Sequence, residues 1–130
     1  MSAAMSDLNQ NKIALVTGGA IRIGRAISIE LAEAGYDLVI AHHSSADQAL
    51  DLQKTVFDLG RRCELVRADL REPNAPSTVV ESVRKTFGRL DLLVNSAANF
   101  KSNSLLEVGA SEWDSIMDLN CRAPHLLVGA

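Results

Sequence analysis

A glycine-rich turn at residues 17–24, Thr-Gly-Gly-Ala-Ile-Arg-Ile-Gly, lies between a short apolar run and a helical pattern. Gly18 permits a tight turn out of a strand, and Gly24 lets a helix approach that strand closely. The free N–H groups near Ile23, at the start of the helix, can hold a pyrophosphate with help from the helix dipole. A plain strand-to-helix turn needs neither so many small residues nor Arg22. This spacing therefore predicts a dinucleotide phosphate site.

The end of the second apolar run indicates which dinucleotide would bind. A site for NAD places an Asp or Glu there, where it accepts from the ribose 2′-hydroxyl. This chain instead continues with His43, Ser44 and Ser45, and the nearest acid is Asp47. The three side chains can donate to phosphate oxygens, so NADP is favoured over NAD. Ser44 and Ser45 could equally cap the next helix, and capping is compatible with a phosphate contact.

The elements that position these residues follow a loose internal period. Three times a helical pattern ends in a glycine (Gly35, Gly60 or Gly88) and an apolar run follows. Such short runs, rich in Val, Ile and Leu, are typical of parallel strands buried on both faces. We predict strands at 12–17, 37–42, 63–67 and 90–95 and helices at 22–34, 46–59, 74–87 and 111–128. Strict alternation predicts an α/β fold with a Rossmann-type doubly wound parallel sheet.

Composition limits the class of protein. The 130 residues carry a formal net charge of −3, so no general attraction to nucleic acid or to an anionic membrane is expected. The apolar runs are far shorter than the ~20 residues of a membrane helix. Two cysteines make no disulfide framework, and we expect a cytoplasmic protein. We interpret residues 1–11 as a disordered leader and residues 12–130 as one domain.

The glycine-rich turn resembles the cofactor turn of the short-chain dehydrogenase/reductase family, Thr-Gly-x-x-x-Gly-x-Gly. Arg22 replaces the middle glycine, which is similar to the pteridine reductase-like branch. The resemblance implies that Arg22 lies near the cofactor phosphates and the substrate; the alternative is a solvated surface arginine. That branch also has His-Arg-Ser-Ala after the second strand, where this chain has Ser44 in place of the arginine.

Two further stretches match the family. Asp69-Leu70 stands where the family's Asp meets the adenine amino group and the next backbone N–H meets the adenine ring. Asn95-Ser96-Ala97 resembles Asn-Asn-Ala, in which the asparagine braces the sheet and small residues leave room for the ribose. In the pteridine reductase-like branch, the aromatic at the position of Phe100 packs against the substrate ring. A loop anchor packed into the core is the alternative for Phe100.

The last predicted helix contains Asn120 and, four residues later, Pro124. Proline has no N–H to donate to the carbonyl four residues back, so the Asn120 carbonyl needs another partner, such as water. The family uses the matching asparagine in this way, in a kinked helix that holds a water of the proton relay. The alternative is a proline kink without a role. We also expect Ser111 to be the N-cap of this helix.

The residues that carry the family's chemistry, a serine and a Tyr-x-x-x-Lys pair, are absent. The one tyrosine, Tyr36, has Ile40 four residues later, and no lysine follows Lys101. The resemblance therefore implies the N-terminal half of a short-chain dehydrogenase/reductase fold, with strand order 3-2-1-4 and a sheet that stops after the fourth strand and its helix. Alone, such a half should be poorly soluble or loosely packed and inactive.

The function implied is an NADPH-dependent oxidoreductase that reduces a carbonyl or a pterin-like bond of a small molecule, as a homo-oligomer when full length. No metal site is predicted. The first alternative is a non-catalytic, truncated Rossmann module that binds a dinucleotide or a partner. A weaker alternative is a methyltransferase that uses S-adenosylmethionine, although such folds typically place an acid at the end of the second strand.

Overall fold

The computed structural model describes residues 11–130 and contains one parallel sheet flanked by helices. The four strands are β1 (Ile13–Thr17), β2 (Asp37–His42), β3 (Cys63–Arg67) and β4 (Leu92–Asn95). The helices are α1 (Arg22–Glu33), α2 (Ala46–Asp58), α3 (Ala75–Phe87), α4 (Ala110–Met117), a π-helix (Asp118–Arg122) and α5 (Ala123–Gly129). The prediction of a leader falls almost entirely on residues outside the described part.

The strand order is β3-β2-β1-β4, and every pairing is parallel, so the predicted topology is confirmed. The register brings the carboxyl ends of the strands together. Thr17 lies opposite Ala41 on one side and opposite Asn95 on the other. The segments that follow β1, β2 and β4 therefore leave the sheet at one edge, where a doubly wound sheet binds its ligand.

The core consists of two apolar layers, one on each face of the sheet. One layer packs α1 and α2 on the sheet through Ala32, Leu52 and Val56. The other packs α3 and α5 on the opposite face through Val79, Val83 and Leu127. Residues of β1 and of most of β2 are buried because helices cover both of their faces. This explains why the sequences of these strands are continuously apolar rather than alternating.

The β4 side of the sheet is covered less completely by the described residues. The apolar side chains of β4 are only half-buried, and α4 has no buried residue. Trp113 and Met117 on α4 are exposed by 59% and 41%. A cavity of about 470 Å³ lies at this side, between β4, α3 and α5. Among residues 11–130, no helix has the length and apolar character needed to cross a bilayer.

The prediction of one helix over 111–128 is wrong in detail, because three helical pieces replace it. Helix α4 begins at Ala110 with Gly109 as N-cap, so Ser111 lies inside the helix and is not its cap. The π-helix ends where the Ala123 N–H donates to the Asp118 carbonyl, one residue before Pro124. Pro124 has no N–H to donate. It follows directly on the π-helix, where the spacing of the backbone hydrogen bonds already departs from that of an α-helix.

The other predicted helices differ from the observed ones by one residue at an end, and β4 begins at Leu92 rather than at residue 90. The shortened strand has a physical cause. The Asp91 N–H donates to the Ile13 carbonyl at 2.9 Å, but the Ile13 N–H donates to the Asp91 carboxylate at 2.8 Å. The Asp91 side chain, which also pairs with Arg89, thus takes the place of a backbone carbonyl at this end of the strand. The three predicted helix-ending glycines all have positive φ.

We predict that Leu52→Ala lowers the free energy of unfolding by about 2–5 kcal/mol, because it empties a fully buried position between α2 and the sheet. Leu50, on the same helix, is 51% exposed, so Leu50→Ala should change stability by less than about 0.5 kcal/mol. Urea unfolding of both variants measures the difference. Equal losses for the two would contradict this assignment of the core.

Candidate functional site

A cavity of about 690 Å³ opens at the carboxyl ends of the strands. It gathers segments that are far apart in sequence: the turn after β1 and the residues that follow β2, β3 and β4. Twelve residues predicted for the cofactor line it: Gly18, Arg22, Ile23, Gly24, His43, Ser44, Ser45, Asp69, Leu70, Asn95, Ser96 and Ala97. Phe100 and Asn120 are not among the lining residues, although their neighbours Asn99 and Leu119 are.

The glycine-rich turn brings three stretches of backbone into close contact. The Gly18 N–H donates to the Ala41 carbonyl at 2.9 Å, and a Cβ on Gly18 would lie 2.8 Å from the Ala97 Cα. A Cβ on Gly24 would lie only 2.1 Å from the Gly18 carbonyl oxygen. Helix α1 can begin this close to β1 only because Gly24 has no side chain, as the sequence predicts.

Arg22 occupies a strained position at the start of α1. Its φ is +51°, the only positive value at a non-glycine residue in the described chain. A middle glycine would adopt this conformation without cost, whereas an L-residue pays roughly 1–2 kcal/mol for it. The Ile21 N-cap offers no side-chain acceptor, so none of the first N–H groups of α1 is capped by it. The turn therefore presents both backbone donors and a guanidinium to the cavity.

The segment after β2 presents imidazole and hydroxyl groups. His43 and Ser44 are exposed, and Ser45 precedes α2 without making a capping hydrogen bond through its side chain. Ser45 therefore occupies the N-cap position of α2, but its side chain does not cap the helix. Burial, with help from Arg67 and His43, lowers the pKa of His42, which also lines the cavity. His42 is partly buried, whereas the His43 side chain beside it faces solvent.

Asp69, after β3, is held by Arg71, a residue that the sequence analysis did not single out. The Arg71 guanidinium donates to both carboxylate oxygens, at 2.9 and 2.8 Å, and the Arg71 N–H donates at 3.1 Å. The side-chain hydrogen bond from Arg71 is the main cause that lowers the pKa of Asp69 to about 2. Asp69 is thus a charged acceptor whose orientation is fixed before any ligand arrives.

Thr17 joins the first strand to the segment after the fourth. Its buried hydroxyl accepts from the N–H groups of Ser96 and Ala97, at 3.2 and 3.1 Å, and lies 3.5 Å from the Val94 carbonyl. These bonds set the path of the chain beneath the cavity. Thr17 belongs to the glycine-rich turn in sequence, but nothing in the pattern shows that its side chain reaches β4.

Asn120 acts in the structure through its side-chain amide. Its Oδ1 accepts from the Asn99 N–H at 2.9 Å, and its Nδ2 donates to the Asn99 carbonyl at 2.8 Å. The amide therefore ties the π-helix to the segment after β4. The sequence predicted only a freed carbonyl at Asn120, and this reciprocal pair was missed because it depends on how the helix packs.

Phe100 is 86% exposed, so the alternative of a loop anchor packed into the core is wrong. Its neighbour Asn99 lines the cavity, whereas Phe100 does not. Within residues 11–130, no group of three or more His, Cys, Asp or Glu side chains could hold a metal ion.

Comparison with known proteins identifies the family. Residues 12–130 match the family model described as short chain dehydrogenase. This chain belongs to the short-chain dehydrogenase family. The alternative of a methyltransferase is therefore wrong.

Individual relatives agree with this family. The short-chain dehydrogenase/reductase FrzI of Cladobotryum sp is 35% identical over 120 residues, which are 92% of this chain and 46% of that protein. The 3-oxoacyl-[acyl-carrier-protein] reductase FabG of Staphylococcus epidermidis is 33% identical over 112 residues, or 86% of this chain and 46% of that protein. The chain thus spans about half the length of the curated relatives it matches.

Solved structures share the fold at high similarity. A short-chain dehydrogenase from Burkholderia cenocepacia, in complex with NADP, superposes with a TM-score of 0.89 at 38% identity, over 92% of this chain and 49% of that one. A blue fluorescent protein from a metagenomic library, in complex with NADPH, gives a TM-score of 0.88 at 34% identity, over 93% of this chain and 51% of that one.

We predict that Gly24→Ala destabilises the chain by about 1–3 kcal/mol, because the new methyl group would force α1 away from the Gly18 carbonyl. Gly129→Ala is the matched control, since Gly129 also lies in a helix and a Cβ there meets no atom within 4 Å. Thermal unfolding measures both variants. A Gly24→Ala protein as stable as the control would refute the close approach as a constraint.

Proposed function

We propose that this chain forms the cofactor site of an NADPH-dependent oxidoreductase that reduces a carbonyl or pterin-like bond of a small molecule. The observation that carries the proposal is the set of groups that line one cavity. They are a turn in which Gly18 and Gly24 have no Cβ, the Arg22 cation, and an end of β2 without a carboxylate. Known short-chain dehydrogenase structures bound to NADP or NADPH support the choice of dinucleotide.

Each part of the cofactor has matching residues in the cavity. The first turn of α1, at Ile23 and Gly24, suits the pyrophosphate, because its N–H groups are not capped by the Ile21 side chain. The imidazole and hydroxyls after β2 suit a 2′-phosphate. The fixed Asp69 carboxylate suits the adenine amino group, with Leu70 beside the ring. The small side chains Ser96 and Ala97, next to Asn95, leave room for a ribose.

When bound, the nicotinamide supplies the hydride of the reaction. The protein must orient the ring and move a proton to the substrate. In this proposal Asn120 holds the π-helix against Asn99, and the helix carbonyls left without the Pro124 N–H accept from the water of the proton path. These 130 residues include no Tyr-x-x-x-Lys pair, so the proton donor is not among them.

A second candidate function is a module that binds a dinucleotide or a partner without catalysis. The two functions predict different residues in the reading frame that encodes this chain. A Tyr-x-x-x-Lys pair encoded in that frame, together with NADPH oxidation in the presence of carbonyl substrates, would support the oxidoreductase. A frame without the pair and a protein without turnover would support the module.

We also propose that the protein acts in the cytoplasm and as a homo-oligomer. Cys63 and Cys121 are free thiols in the structure, which suits a reducing compartment. The exposed Trp113 and Met117 on α4 supply apolar area of the kind that subunit contacts bury.

Arg22 gives a test of the cofactor assignment. We predict that the protein binds NADPH more tightly than NADH, and that Arg22→Gly and Arg22→Ala each weaken NADPH binding about tenfold by removing a cation near the phosphates. The free energy of unfolding of Arg22→Gly should exceed that of Arg22→Ala by about 1 kcal/mol, because glycine adopts the positive φ without strain. Nicotinamide fluorescence titration and thermal unfolding measure the two effects. Tighter binding of NADH by the unchanged protein would overturn the assignment.

The exposed ring of Phe100 tests the narrower proposal of a pteridine reductase-like substrate site. If a flat heterocycle stacks on this ring, Phe100→Ala should raise the KM for a pterin about tenfold and leave NADPH affinity unchanged. Leu105→Ala is the control, because Leu105 belongs to the same segment and is 90% exposed. Steady-state kinetics of the protein expressed from its complete reading frame, with a pterin and with a simple ketone, measure the effect. An unchanged KM for the pterin would remove Phe100 from the substrate site.

A further inference from the structure

The Asp69–Arg71 pair lies where the adenine half of the cavity meets the segment after β2. The His43 Nε2 atom is 3.9 Å from the Asp69 Oδ2 atom. A carboxylate therefore stands one contact away from the imidazole that we assign to the 2′-phosphate. An acid that accepts from the ribose 2′-hydroxyl favours NAD in Rossmann sites, and a carboxylate close to that position would repel the 2′-phosphate of NADP. Asp69 alone would work against the cofactor that the rest of the cavity fits.

Arg71 offsets this charge with a guanidinium held in a fixed place. Its Nε and one terminal nitrogen engage Asp69, and its other terminal nitrogen lies 3.4 Å from the Ser115 hydroxyl of α4. The Arg71 carbonyl accepts from Arg122, which also pairs with Asp118 at 3.1 Å. Because both ends of Arg71 are attached to the helix beyond β4, the cation stays beside Asp69 rather than moving in solvent.

We propose that Arg71 is a specificity-determining residue: it neutralises Asp69, so that the site keeps an acceptor for adenine and still admits a 2′-phosphate. This inference rests on the proposed function, since it concerns the choice between NADPH and NADH. It assigns to Arg71 an effect on the ratio of the two affinities rather than on dinucleotide binding as such. The effect is electrostatic and needs no contact between Arg71 and the cofactor.

The test compares four proteins: the unchanged protein, Arg71→Gln, Asp69→Asn and the double variant. The measured quantity is the ratio of NADPH affinity to NADH affinity. Arg71→Gln leaves the pair with a net charge of −1, Asp69→Asn leaves it at +1, and the double variant restores zero as in the unchanged protein. Asparagine keeps an oxygen that accepts from adenine. The ratio should be highest in Asp69→Asn, lowest in Arg71→Gln, and similar in the unchanged protein and the double variant.

The protein is expressed from its complete reading frame and titrated with NADPH and NADH at low ionic strength. Arg71→Gln should weaken NADPH binding about tenfold and NADH binding less than about twofold, since only the 2′-phosphate meets the uncovered carboxylate. Arg84→Gln removes the same charge from an exposed pair with Glu81 on α3, outside this cavity, and should leave the ratio unchanged. Added salt should reduce the differences.

Two results would overturn the proposal while leaving NADPH binding established. Equal losses of NADPH and NADH in Arg71→Gln would mean that Arg71 only orients Asp69 or the helix. A double variant as weak for NADPH as Arg71→Gln would mean that Arg71 binds the phosphate directly. If Arg71→Gln unfolds, Asp69→Asn alone decides, because an unchanged ratio in that variant contradicts neutralisation. An unchanged protein that binds neither dinucleotide would refute the proposed function itself.

Discussion

Backbone meets backbone at the carboxyl edge of the sheet without space for a side chain, and the candidate site depends on this constraint. The turn after β1 touches the segment after β4 at Gly18 and Ala97, and α1 touches the same turn at Gly24. The Thr17 hydroxyl then fixes the β4 side by accepting from two consecutive N–H groups. Only because these segments are so close can donors from the helix start and the small residues after β4 face one cavity.

The electrostatic potential in this cavity depends on the Arg22 cation and on the Asp69 carboxylate with its partner Arg71. Arg22 supplies a cation in the turn after β1, and Asp69 supplies a carboxylate after β3. The Asp69 charge is permanent across ordinary pH, because its partner Arg71 holds the pKa of the carboxyl at about 2. The residues after β2 add polar donors and no acid. In the proposed function, this composition suits a polyphosphate with a purine better than an uncharged ligand.

Most of the fold could be predicted from the sequence because its signals are local. Apolar runs of four to six residues, helix-ending glycines and strict alternation specify a parallel sheet, and the strand order was confirmed. The glycine turn could be predicted for the same reason, since its mechanism resides in eight consecutive residues. The helix after β4 was predicted less well, because Gly109 rather than Ser111 is its N-cap and a π-helix precedes Pro124. Those details depend on tertiary packing.

The contacts that sequence reasoning missed join residues far apart in the chain. Arg71 reaches Ser115, and Thr17 reaches Ser96, over separations that no spacing rule covers. The pairing of Asn120 with Asn99 has a further consequence. One side-chain amide offers an acceptor and a donor to the N–H and C=O of a single residue, as a neighbouring strand would. The helix thus supplies one rung of sheet-like pairing beyond the end of β4, and a small movement of the helix would release both bonds together.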